Sequence, residues 1–155
     1  MSPKQVVIVR RIAALCCAAS LGALLFSVRV ATTVFAEMPG DRVLAGRIAG
    51  RAFTGAYAIA GIAAVIAIFV VWFTRSTGQR LDRWLAGVLL VAAALELFWI
   101  APAITRHGDG WPGSFASLHA VGGGLHLVLA AFALILAWRL LNGTDDRALT
   151  LRQLF

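Results

Sequence analysis

Six side chains in an otherwise apolar chain are of types that do chemistry: Arg29, Arg47, Arg51, Glu96, His119 and His126. A carboxylate and two imidazoles supply metal ligands or groups that exchange protons near neutral pH, and guanidinium groups attract anions. Helical spacing brings them together. Glu96 lies twelve residues beyond Trp84, and His126 eleven beyond Phe115. At 1.5 Å per residue each is about 17–18 Å from its own end of a span, so the two meet near the bilayer midplane. His119, seven residues before His126, returns to within about 20° of the same helix face about 10.5 Å higher. Arg29 lies six or seven residues before the end of the first apolar run, near the level of His119, and Arg47 and Arg51 open the second. The expected arrangement is a buried polar track on the outer half, with Arg47 and Arg51 at a mouth, Arg29 and His119 below it, and Glu96 and His126 at its base.

Two readings of that track stand side by side. In one it is a site for an anion, a proton relay, a metal or a haem. In the other the charges and imidazoles pair with each other or with carbonyls and hold four helices in register. A metal signal is weak, because one ion wants ligands at i, i+4 on a helix and His119 and His126 are seven apart. The remaining histidine, His107, is placed with Asp109 in a loop, which a solvated pair explains as well as a surface metal. Haem is an open cofactor class only with a single histidine ligand or one shared between subunits. Adjacent Cys16 and Cys17 point about 100° apart and read as small packing residues.

The elements that must position these groups follow from composition. Of 155 residues 61% are hydrophobic and 14% charged, against about 25% charged in a soluble domain, so the natural solvent is a lipid bilayer. Apolar runs at 12–36, 48–74, 84–105 and 115–138 each exceed the roughly 30 Å of a hydrocarbon core. Basic Lys4, Arg10 and Arg11 before the first run, and Val34-Phe35-Ala36 at its end, also have the make-up of a secretory signal. The length of the run, Arg29 inside it and the three runs that follow favour a membrane span. Pro102 is expected to kink or end the third span.

The formal net charge of +7 reports orientation rather than nucleic-acid binding. Nine Lys and Arg fall in the N-terminal flank, the 75–83 loop and the C-terminal tail, against four in the other loops, which predicts cytoplasmic termini. Trp72, Trp84 and Trp138 belong to the inner belt by the same count, and Trp99 and Trp111 to the outer. Short loops make consecutive spans antiparallel neighbours, giving an all-α, up-down-up-down four-helix bundle in a single domain. Gly46 and Gly50, and Gly122, Gly123 and Gly124, allow close helix approach within the bundle or in a homo-oligomer. No hydrolase or kinase fingerprint is present, and Gly122-Gly123-Gly124, lying inside a span, is no phosphate loop.

The stretch Ala45-Gly46-Arg47-Ile48-Ala49-Gly50-Arg51-Ala52-Phe53, the sequence Pro102-Ala103-Ile104, and Phe115-Ala116-Ser117-Leu118-His119 together resemble the transmembrane-protein-205-like family, distantly akin to copper-resistance-D-type membrane proteins. The resemblance implies a bacterial four-span inner-membrane protein without an established activity, with Gly50, Arg51, Pro102 and His119 at family positions. This chain has His126 where that family commonly has Asn. Three function classes follow: a binding or transport module, a haem- or metal-dependent redox protein, and an accessory subunit whose polar groups only pin helices.

Overall fold

The computed structural model describes residues 1–74, 79–105 and 115–143, and these form helices joined by short connections. The first helix, α1 (Pro3–Glu37), starts on a capping box: the Gln5 amide donates to Ser2 Oγ at 3.3 Å and the Ser2 amide to Gln5 Oε1 at 2.8 Å. It ends at Met38, beside Pro39, whose missing N–H prevents continuation. Asp41 then caps α2 (Arg42–Phe73) by accepting from the Leu44 amide at 2.9 Å. This start takes in residues 43–51, the helical-looking stretch that extends the second apolar run at its beginning.

The third crossing is composite. A regular helix, α3 (Gln79–Leu95), passes into a π-helical turn over Glu96–Ile100 and resumes as α4 (Ala101–Thr105). Pro102 accounts for the widening. It has no N–H to offer the Phe98 carbonyl and its ring crowds that carbonyl, and one wide turn relieves the clash without ending the helix. The expected kink or terminus is therefore a π turn in a continuing helix. The last crossing is α5 (Phe115–Asn142).

Four helices, over Lys4–Glu37, Arg42–Phe73, Gln79–Ile104 and Ser117–Asn142, are long and apolar enough to cross a membrane. Helix α1 packs on α2 and α5, and α3 packs on the same two, which closes a four-helix ring. The shared interior is built from small residues such as Ala13, Ala60, Ala64, Ala86, Ala93 and Ala133, all essentially inaccessible, with Leu24, Leu89, Leu129 and Leu136 between them. Bulky apolar side chains point outward instead: Phe98 is 78% exposed, and Phe73, Leu127, Trp72 and Trp138 are similar. That distribution is inverted relative to a water-soluble bundle. It is the one lipid favours, since tails solvate Phe and Leu as well as a core does and small residues let backbones approach.

The glycines divide on the same criterion. A Cβ on Gly122 would sit 3.1 Å from Ile100 Cγ2, so α5 and the π turn touch there. Gly46, Gly50, Gly123 and Gly124 have nothing within 4 Å of such a Cβ. Their expected role in close packing is not exercised inside this bundle.

Candidate functional site

Among the described residues two buried polar clusters lie in the bundle, one in the interior of the crossings and one at the end where α1 begins and α5 ends. The first is built on Glu96, the opening residue of the π turn, which is 1% exposed. Its carboxylate lies against the backbone of α5, because a Cβ on Gly122 would stand 3.7 and 3.8 Å from its two oxygens. One turn further along α5 is His126, 7% exposed, whose Nδ1 is 3.4 Å from the hydroxyl of Tyr57 on α2. The Tyr57 hydroxyl also hydrogen-bonds the Glu96 carboxylate. Three helices thus contribute one polar group each to a chain that runs Glu96, Tyr57, His126.

Aromatic rings hold this chain in place. Phe53, one turn before Tyr57, meets the His126 ring edge-on at 5.4 Å and 89°, and Tyr57 meets it at 5.8 Å and 71°. Phe53 and Tyr57 themselves stack at 6.1 Å. Such contacts fix ring orientation in a medium where a lone hydrogen bond would swing. Two buried atoms of this cluster, Glu96 Oε1 and His126 Nε2, have no hydrogen-bond partner within 3.5 Å among the described residues. The Leu24 carbonyl lies beside the His126 ring, and at 2.7 Å it accepts a hydrogen bond from Ser27 Oγ on its own helix.

The expected track is only partly present. Glu96 and His126 are buried as the spacing suggested. Arg29, Arg47, Arg51 and His119 are not: all four are exposed. Phase explains the arginines. The buried face of α1 runs through Cys17, Ser20, Leu24 and Ser27, and Arg29, two residues on from Ser27, points about 200° away from it. Arg47 and Arg51 likewise follow buried Ala45 and Ala49 by two. His119 does share a face with His126, but burial on α5 begins only at Gly122. His107 and Asp109, and with them any surface metal pair, lie outside the described residues, as does Trp111. Cys16 and Cys17 are free thiols, the second within the core. Among the described residues no three His, Cys, Asp or Glu gather as a metal site.

Tyr57 was missed by sequence reasoning, although a signal existed: it is the only tyrosine of the chain, and a phenol inside an apolar run needs a partner for its O–H. The second cluster was missed altogether. Asp82, 1% exposed, accepts from Arg139 Nε at 2.6 Å and pairs with an Arg10 terminal nitrogen at 3.5 Å. The same Arg10 nitrogen donates to the Arg139 carbonyl at 3.4 Å. A Cβ on Gly143 would fall 2.7 Å from it, so a residue without a side chain closes the cluster. Arg10 and Arg139, counted above as topology signals, tie α1 to α5 through an aspartate of α3.

These features define a multi-pass, all-helical membrane protein with a polar centre inside its bundle. Residues 15–109, more than half of the chain, match the model of a family described as Domain of unknown function (DUF4149), and the chain belongs to that family. The match contains Tyr57 and Glu96 and ends before α5, so His126 and Gly122 lie beyond it. It names neither the transmembrane-protein-205-like family nor the copper-resistance-D type. No curated protein and no solved structure matches the chain.

Proposed function

We propose that this protein is a binding or transport module whose working centre is the Glu96–Tyr57–His126 chain, and that it takes up a proton or a small hydrogen-bond-donating solute within the bilayer. The observation that carries the reading is a buried carboxylate oxygen, Glu96 Oε1, that the surrounding helices do not satisfy, at one end of a chain that has an imidazole at the other. Ionisable groups at this depth are expensive, and a bundle held only by polar glue would use them fully paired. The Asp82 carboxylate differs, with each of its two oxygens engaged by an arginine.

Arg29, Arg47 and Arg51 face outward, so a second copy of the chain is the partner that would gather them into a mouth, packing on the open Gly46 and Gly50 face. Cytoplasmic termini, a bacterial inner membrane and kinship to the transmembrane-protein-205-like family complete the reading, on the basic-residue count and the motifs given above.

The test is proton flux in vesicles containing the full chain and an internal pH dye. Wild type is expected to collapse an imposed pH gradient faster than protein-free vesicles. Tyr57→Phe and Glu96→Gln, which keep side-chain volume, should each slow that collapse about tenfold, the scale of one lost hydrogen bond to a charged group. Wild-type flux in both variants would refute the reading.

A further inference from the structure

Outside the polar centre, an open groove of about 540 Å³ runs along the bundle surface between α3 and α5. Its floor and walls are Gly87, Val88, Val91, Ala92 and Leu95, faced by Leu125 and Val128. At the end of the bundle where α1 begins and α5 ends the character changes to Arg83 and Trp84. Arg83 is exposed, and its guanidinium carbon lies 4.7 Å from the centre of the Trp72 ring. That stacking holds one face of the cation against an interfacial tryptophan and leaves its N–H edge to the surroundings.

We propose that this groove is a binding site for an anionic phospholipid, one acyl chain lying between α3 and α5 and the phosphate held by Arg83. Three observations agree on this occupant. From Arg83 to Leu95 the groove follows twelve residues of helix, about 18 Å, close to one leaflet of a hydrocarbon core roughly 30 Å thick. Its apolar stretch starts one turn from its single cation, the order of parts in a lipid. The cation stacks on Trp72 and shares the groove's end with Trp84, side chains that settle at headgroup level. A backbone without a side chain at Gly87 deepens the channel, since a Cβ there would meet nothing within 4 Å.

The experiment is native mass spectrometry of the full chain in detergent, incubated with phosphatidylglycerol or with phosphatidylcholine. Wild type should retain phosphatidylglycerol in preference, and Arg83→Gln should cut that preference about five-fold, what one basic residue is worth at an anionic surface. Arg80→Gln removes an exposed cation from the first turn of the same helix that does not line the groove, and should leave the preference intact. Gly87→Phe fills the channel and should reduce retention of both lipids, with Val91→Phe as a second filling variant should the first fail to fold. Inorganic phosphate should not compete. Equal losses from Arg80→Gln and Arg83→Gln, or unchanged retention in a folded filling variant, would overturn the proposal. So would a dimer in wild type that the filling variants convert to monomer, since the groove's occupant would then be a second copy.

Discussion

At the scale of single residues, two carboxylates among the described residues are buried and are treated oppositely. Asp82 receives two guanidinium groups; Glu96 receives a phenol and leaves one oxygen unsatisfied. Removing the charge of Asp82 would leave Arg10 deeply buried without its counter-ion, a change that costs about 3–5 kcal/mol where buried pairs are broken. Asp82→Asn is therefore expected to lower the unfolding midpoint in detergent substantially. Arg139→Gln should lower it less, because that side chain is 30% exposed and solvent or headgroups already share it. Equal effects of the two variants would show that the cluster is not organised around Asp82. The contrast also separates roles: loss at Asp82 reads out in stability, whereas loss at Glu96 should read out in flux.

At the scale of elements, what positions the centre is the contact of the π turn with α5 at Gly122. Gly122→Leu must push Ile100 or the Glu96 carboxylate aside, and overpacking of this kind costs about 1–3 kcal/mol. Gly124→Leu, on an open face of the same helix, should be close to neutral in the same thermal unfolding measurement. If both are tolerated alike, the approach of the helices at Gly122 is looser than its distances state. This is also where the limits of the sequence lie. Four spans, their antiparallel order and the shared depth of Glu96 and His126 follow from run lengths and helical rise. The rotation of each helix does not follow, because α1, α2 and α5 are apolar on every side and periodicity has no contrast between lipid and core. For that reason Arg29 reads as an interior residue, and Arg10 and Arg139 read only as flanking topology signals. The π turn was half legible, since Pro102 marked an irregularity but could not say that the helix continues.

At the scale of the whole molecule, the small interior and bulky exterior place the protein in a solvent that is not water. Phe98, the most exposed of the bulky apolar side chains, sits on the turn that bears Glu96, and its replacement distinguishes the two environments. In water Phe98→Arg would be harmless or favourable. Within a bilayer a guanidinium near the middle of a span costs about 3 kcal/mol on insertion scales, so this variant should be depleted from the membrane fraction relative to wild type. Undiminished insertion would place that face in a polar setting, such as a water-filled channel or a partner's interior.

The Asp82 cluster has a consequence in time as well as in space. Its members are spread over the chain, Asp82 coming 72 residues after Arg10 and Arg139 a further 57 after Asp82. Crossings made in chain order bring Arg10 first, its anion only with the third crossing, and the complete set only with the last. A chain that stops short of α5 carries an aspartate missing one of its two cations, and a chain lacking α1 carries one missing the other. The aspartate therefore distinguishes chains that have all four crossings from chains that lack the first or the last, and it does so at the end of the bundle where α1 begins and α5 ends.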